Sequence, residues 1–171
     1  MRCSRWRTTT VGLTGMVVIA LLAPSAQATA AASHEGFTTT QTLSYRGGTC
    51  QLKSDLPHWT PRAGSVIFKT RVECVGTEAP TVRITGTMNY TLGGLPGAPS
   101  QGELHTVATS VQEQVVPIGK TVTYYTPLPN AEKLVAPGTY QGVATGEVVA
   151  PQHSNLTTYT TPRTYALPPV S

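Results

Sequence analysis

The chain has 171 residues, of which 39% are hydrophobic and 12% charged, and its formal net charge at pH 7 is +4. This length suits one domain that buries a hydrophobic core of its own. The basic residues are dispersed, with no run that could follow a phosphate backbone, so nucleic acid is not an expected partner.

The first thirty residues have the layout of a secretory signal peptide. Arg2, Arg5 and Arg7 precede an apolar run over residues 11–23, and small residues follow it. That run of about thirteen residues is shorter than the roughly twenty that cross a bilayer, so we expect cleavage and no membrane insertion afterwards. The sequence therefore predicts a secreted, extracellular protein, and its signal and composition are typical of bacteria.

Small residues allow the signal to be cleaved at three places, which are after Ala28, Ala30 or Ala32. We take Ala30, so that residues 1–30 are the signal peptide, 31–40 a flexible segment and 41–171 the folded domain. Removal of the signal leaves nine basic against eight acidic residues, a net charge of about +1. No cysteine lies at this boundary, so a lipid anchor is not expected.

Two cysteines, Cys50 and Cys74, remain after export to a compartment where thiols are normally oxidised. We expect them to form a disulfide. Closing a loop of about 25 residues would destabilise the unfolded chain by roughly 3 kcal/mol. A catalytic thiol or a metal ligand is the less favoured alternative, because no Cys-x-x-Cys spacing is present.

Abundant threonine and alternating apolar residues predict strands rather than helices from residue 41 onwards. Leu43 and Tyr45 alternate before Gly47-Gly48, and Cys50 and Leu52 alternate after it. This pattern indicates either one bulged strand or two strands around a tight bend.

The clearest alternation occurs in two neighbouring stretches of the chain. The first has the inward set Val66, Phe68, Thr70, Val72 and Cys74, with Lys69 and Arg71 facing outward. The second has the inward set Val82, Ile84, Met88, Tyr90 and Leu92. We expect two half-buried antiparallel strands, joined into a hairpin by the short turn at residues 76–80.

Weaker strand patterns follow at residues 103–111, 121–126, 139–149 and 157–167. Pro162 makes the last of these an edge strand or two short pieces, because proline cannot donate a ladder hydrogen bond. Seven or eight short strands with one disulfide predict an all-β fold, an antiparallel β-sandwich.

The segment from Leu134 through Pro137 to Tyr140 resembles the tyrosine corner of immunoglobulin-like and fibronectin type III domains. The resemblance implies that the Tyr140 ring packs in the core and that its hydroxyl reaches back to the preceding connection. The next inward positions are Gly142, Ala144 and Gly146, which bury little volume. We expect a large side chain, Trp59 or a neighbouring tyrosine, to pack against them.

No catalytic or metal constellation is evident. Asp55 and His58 are the nearest approach to an acid–base pair, but no nucleophile motif accompanies them. Glu103 and His105 would share a strand face, yet two ligands do not make a zinc site. We therefore expect no catalytic residues, no metal and no cofactor.

Two segments are candidates for binding. His58, Trp59 and Arg62 lie in a proline-bounded segment where an exposed indole could stack on a sugar or anchor a protein, although burial of Trp59 is favoured. Leu95 and Pro96 lie in a glycine-rich excursion over residues 93–102, which is either a binding loop or, as we favour, a mobile hairpin tip.

These observations predict a secreted, non-catalytic β-sandwich that binds an extracellular partner, either a protein or a cell-surface polymer. A secreted inhibitor of an extracellular hydrolase is the alternative, using the loop at residues 93–102 or the Trp59 segment. An enzyme of unfamiliar type is the third hypothesis, and it would need histidines and carboxylates from separate strands to converge in one pocket.

Overall fold

The structure is a computed structural model that describes residues 39–168, and all regular elements in this range are β-strands. The predicted signal peptide, residues 1–30, and most of the predicted flexible segment at residues 31–40 lie outside the described residues. No helix between residues 39 and 168 is long and apolar enough to cross a membrane.

The described residues form twelve strands, which alternate with short connections. In chain order these are β1 (Thr39–Tyr45), β2 (Gly48–Ser54), β3 (His58–Thr60), β4 (Ser65–Gly76), β5 (Thr81–Thr91), β6 (Gly94–Leu95), β7 (Ala98–Pro99), β8 (His105–Val115), β9 (Thr121–Thr126), β10 (Gly138–Ala150), β11 (Thr157–Thr160) and β12 (Thr164–Ala166).

Two antiparallel sheets pack face to face, which confirms the all-β sandwich. In the first sheet β4 pairs with β2, β3 and β9, and β1 pairs with β2. In the second sheet β5 pairs with β8 and β10, and β10 pairs with β11 and β12. The core cluster of buried side chains comes from the inward faces of both sheets.

The positions of the strand ends decide two predictions, one for the Gly47-Gly48 interruption and one for the strand that contains Pro162. Tyr45 pairs with Gly48, so the Gly47-Gly48 interruption is a tight bend between two strands rather than a bulge. The predicted last strand is two short pieces, β11 and β12, and Pro162 lies between them.

The predicted hairpin between the two most regular strands is wrong. β4 and β5 belong to different sheets, and residues 77–80 carry the chain from one sheet to the other. The inward sets themselves are largely as predicted, because Val66, Phe68 and Val82 are all at most 1% exposed. Alternation of apolar residues shows that a strand has one buried face, but it does not show which strand lies beside it. Two such strands can belong to different sheets and pack their buried faces against each other across the core.

Leu92 is the exception among the predicted inward residues. It follows the last residue of β5 and its side chain is 77% exposed. The regular alternation of β5 ends after Met88, next to a register shift against β8, so that Tyr90 is half-buried and Thr91 is buried. After Thr91 the chain leaves the sheet and enters the small hairpin of β6 and β7.

The predicted disulfide is present. Cys50 on β2 lies directly opposite Cys74 on β4, with an S–S distance of 2.08 Å, and both residues are fully buried. The bond therefore joins adjacent strands of one sheet, at the end of β4 that is distant from β3.

The space over Gly142 and Gly146 of β10 is filled by Phe68 and Leu52, not by Trp59 or a tyrosine as the sequence suggested. A Cβ atom built on Gly142 would lie 2.6 Å from the Phe68 ring. A Cβ atom on Gly146 would clash with Leu52. The two sheets approach closely here because β10 has no side chain at these positions, which lets residues of the first sheet occupy the space.

Tyr140 begins the inward face of β10, and its ring is 1% exposed. Its hydroxyl donates a hydrogen bond to the carbonyl of Ala136 at 2.7 Å, within the connection that precedes the strand. Burial raises the pKa of the Tyr140 hydroxyl above its usual value. Leu134 packs against the core cluster from the same connection, whereas Pro137 is exposed.

Replacing both cysteines, as in Cys50→Ala with Cys74→Ala, should reduce the free energy of unfolding by about 3 kcal/mol, because the unfolded chain regains the entropy of an open loop. Urea unfolding of the variant and of the wild type measures the difference. An unchanged midpoint and slope would show that the disulfide adds no stability.

Gly142→Ala should destabilise the domain by about 1–3 kcal/mol, because the added methyl group meets the Phe68 ring. Adding Phe68→Leu in the same chain should recover part of this loss, and a double-mutant cycle measures the coupling. Strictly additive effects of the two substitutions would contradict the close packing of this pair.

Candidate ligand-binding cleft

The connection between β9 and β10 folds back onto β4 and creates a cleft on the outer side of the first sheet. β9 leaves β4 at the pair of Thr126 with Phe68. The chain returns at Leu134, whose carbonyl accepts from the Val66 amide at 2.8 Å and whose amide donates to Ser65 Oγ at 2.9 Å. Residues 127–133 are thereby held beside β4.

The cleft has a volume of about 560 Å³, within the range of small-molecule sites. Its walls come from four parts of the chain, namely β3 with the turn after it, β4, β9 and the connection that follows β9. Its lining includes no histidine, cysteine or aspartate. The side chains that matter most for its chemistry are Thr60, Arg62, Lys69, Tyr125, Glu132 and Lys133.

Three cationic side chains and one carboxylate line this cleft. The cations are Arg62, Lys69 and Lys133, and the carboxylate is Glu132. In the described part of the chain none of these three cations forms an ion pair, whereas Arg71 pairs with Asp55 and Arg83 with two glutamates. The cleft therefore keeps an excess of positive charge that an anionic ligand could neutralise.

Tyr125 forms an aromatic wall beside Lys69. The two residues are directly opposite in the register of β4 and β9. Alternation along β9 puts Tyr124 in the core, where its hydroxyl donates to the Val82 carbonyl at 3.1 Å, so Tyr125 faces the cleft. The side-chain amide of Gln112 donates to the Tyr125 carbonyl at 2.9 Å and fixes the backbone at this point.

Of the three candidates in the Trp59 segment, only Arg62 lines the cleft. Trp59 lies on β3 opposite Val66 and packs, partly buried, against the core. Alternation along β3 places Thr60, and not Trp59, on the face that lines the cleft. The Trp59 Nε1 is buried without a hydrogen-bond partner. His58 is half-buried, with Nδ1 2.8 Å from the Leu56 carbonyl.

Leu95 and Pro96 do not line the cleft but form the exposed tip of the hairpin of β6 and β7. The base of this hairpin, in contrast to its exposed tip, is held by hydrogen bonds. The Ser100 amide donates to Thr139 Oγ1 at 2.9 Å, and that hydroxyl donates to the Gly93 carbonyl at 3.0 Å.

Arg163 also holds the base of this hairpin. Its Nη1 donates to the carbonyls of Ser100 at 3.0 Å and Gly102 at 2.7 Å. Because Arg163 is distant in sequence, local glycine content gave no indication of this support.

The residues considered for catalysis and metal binding do not converge. The Asp55 carboxylate binds Arg71, and His58 contacts a backbone carbonyl instead of Asp55. Glu103 precedes β8, which begins at His105. Among residues 39–168 no group of three or more histidine, cysteine, aspartate or glutamate side chains is arranged to hold a metal ion.

Sequence reasoning found Arg62 but missed Lys69, Tyr125, Glu132 and Lys133 as members of one site. Lys69 was assigned to an outward face, and the others lie more than fifty residues later in the chain. Only the return of the chain at Leu134 brings them together. No family model matches the chain, and no curated protein is significantly similar to it.

Proposed function

We propose that this protein is a secreted, non-catalytic β-sandwich that binds an extracellular partner, a protein or a cell-surface polymer, through anionic groups of that partner. The observation that carries the proposal is the cluster of Arg62, Lys69 and Lys133 around one cleft, without ion-pair partners among the described residues. Several cations around one cleft attract an anionic group, and each cation that contacts the bound group increases its affinity.

Several features support an extracellular role. The N-terminal arginines and apolar run have the pattern of an export signal. A buried disulfide persists in oxidising compartments and is rare in the cytosol of mesophiles. The cleft lining contains no histidine, and the hydroxyl of its one serine, Ser65, is engaged in hydrogen bonds with the backbone of Val66 and Leu134, which favours binding over turnover.

The strand arrangement and the hydrogen bond of Tyr140 support the resemblance to fibronectin type III and immunoglobulin-like domains. The tyrosine lies at the start of a central strand and its hydroxyl reaches the connection before it. In such sandwiches, loops and sheet faces supply binding surfaces while the core remains a scaffold.

A second candidate function is inhibition of an extracellular hydrolase by the hairpin of β6 and β7. The hydrogen bonds from Thr139 and Arg163 favour it, because a loop that is already held in place loses little entropy on binding. Leu95 is 68% exposed at the tip and could enter an apolar pocket of an enzyme.

Simultaneous replacement of Arg62, Lys69 and Lys133 by alanine should weaken binding to dextran sulfate about tenfold, because three charge contacts of modest strength are lost. Calorimetry at low ionic strength measures the affinity. The matched control replaces Arg46, Lys53 and Lys120, which are exposed cations outside the cleft and change the net charge equally. Equal weakening by the control would refute a cleft-specific site.

If the hairpin is inhibitory, wild-type protein should reduce the activity of at least one enzyme in a panel of secreted proteases and glycosidases. Leu95→Asp should abolish that inhibition, because a charge at the tip opposes entry into an apolar pocket. Leu156→Asp is the control, since Leu156 is equally exposed at 66% but lies in another connection. Inhibition that survives Leu95→Asp would exclude the hairpin as the inhibitory element.

A further inference from the structure

We propose that the anionic partner is an acidic polysaccharide, with a uronic acid ring stacked on Tyr125 and its carboxylate held by the neighbouring cations. This inference rests on the proposed function of the cleft and names the ligand class that its residues suit. The observation behind it is the direct juxtaposition of Tyr125 and Lys69 across β4 and β9, inside a cleft that also contains a carboxylate.

The tyrosine provides a flat apolar surface beside a charge. Residues directly opposite in an antiparallel pair have Cβ atoms about 5 Å apart, so the side chains of Lys69 and Tyr125 leave the sheet side by side on the face that lines the cleft. A pyranose ring has an apolar face of C–H groups that packs on an aromatic ring. In a uronic acid the carboxylate projects from the edge of the same sugar ring, so one residue can contact both side chains.

Glu132 distinguishes a sugar from a simpler anion. A cleft built only for sulfate or for a phosphodiester would gain nothing from a carboxylate, because these ligands have no hydrogen-bond donor at neutral pH and the carboxylate repels them. A uronic acid residue carries hydroxyl groups that can donate to the Glu132 carboxylate and to the Thr60 hydroxyl oxygen, while its own carboxylate meets Arg62, Lys69 or Lys133. The mixed lining therefore matches a ligand with both anionic and hydroxyl groups.

The shape of the cleft agrees with a short stretch of a polymer. Its volume of about 560 Å³ is that of a small-molecule site, and it is bounded on one side by residues 127–133. The walls also include Ile67 and Leu128, which extend the apolar surface next to Tyr125. An acidic peptide without aromatic residues, such as poly-glutamate, could meet the cations but offers no ring for this surface.

The test compares acidic sugars with other polyanions by calorimetry on the processed protein. The acidic sugars are oligomers of galacturonate, alginate and hyaluronan. The comparison ligands are methyl-esterified oligogalacturonate, inorganic polyphosphate and poly-glutamate. We expect at least one acidic sugar to bind more tightly than polyphosphate and poly-glutamate, and methyl esterification to weaken binding of oligogalacturonate if that is the preferred sugar.

Two variants of Tyr125 separate stacking from charge. Tyr125→Thr keeps a strand-forming residue and should weaken binding of the acidic sugar about tenfold, while affinity for polyphosphate stays unchanged. Tyr125→Phe keeps the ring and should retain sugar binding. Thermal unfolding of each variant shows whether the fold is intact.

The outcomes distinguish this inference from the proposed function. If none of the acidic sugars binds, or if Tyr125→Thr leaves their affinity unchanged, the acidic-sugar inference is overturned. Binding of polyphosphate or poly-glutamate that depends on Arg62, Lys69 and Lys133 would in that case still support a general anion site. If no polyanion depends on those three cations, the proposed function itself fails.

Discussion

The candidate site depends on the hydrogen bonds that tie Leu134 to the start of β4. The Leu134 carbonyl accepts from Val66, and its amide donates to Ser65, whose hydroxyl also donates to the Val66 carbonyl at 3.0 Å. Ser65 is 3% exposed, so an unpaired polar group there would be unfavourable and the closed arrangement is favoured over an open one. Without this tie, residues 127–133 would have no fixed position beside Lys69 and Tyr125.

β4 contributes both to the stability of the domain and to the candidate site, because one face of this strand packs in the core and the other lines the cleft. Its inward face includes Phe68, which fills the space over Gly142 and joins the two sheets. Its outward face presents Ile67 and Lys69 to the cleft. The disulfide at Cys74 fixes the far end of the same strand to β2. The core and the disulfide thus hold rigid the strand on which the cleft is built.

Many of the strands and their buried faces could be predicted from local sequence patterns, whereas the pairing of strands within the sheets could not. Alternation identified the buried face of β4, and the presence of two cysteines after the predicted signal peptide identified the pair of Cys50 and Cys74. The partner of β4 was predicted incorrectly, because β4 and β5 bury their inward faces against each other across the core, and alternation alone does not distinguish this from a hairpin. Trp59 or a neighbouring tyrosine was expected at the glycines of β10, but Phe68 lies over Gly142 and Leu52 over Gly146.

The site was less accessible to prediction because its members are distant in sequence. Arg62 was singled out for a different reason, its closeness to Trp59, and the other cations had the appearance of a dispersed, solvated surface. The supports of the hairpin were missed in the same way, since Arg163 acts on Ser100 and Gly102 from another strand connection. Leu134 and Arg163 each make hydrogen bonds to residues that are distant in sequence. Local sequence patterns do not reveal such contacts.

Amide hydrogen exchange at Val66 and Leu134 tests most directly whether the connection is held on β4. We expect both amides to be protected to a degree similar to the central residues of β4, and Ser65→Ala to accelerate exchange at Leu134 while the middle of β4 stays protected. Exchange of the wild-type Val66 and Leu134 amides at the rate of a free loop, beside a protected β4, would contradict the existence of the cleft.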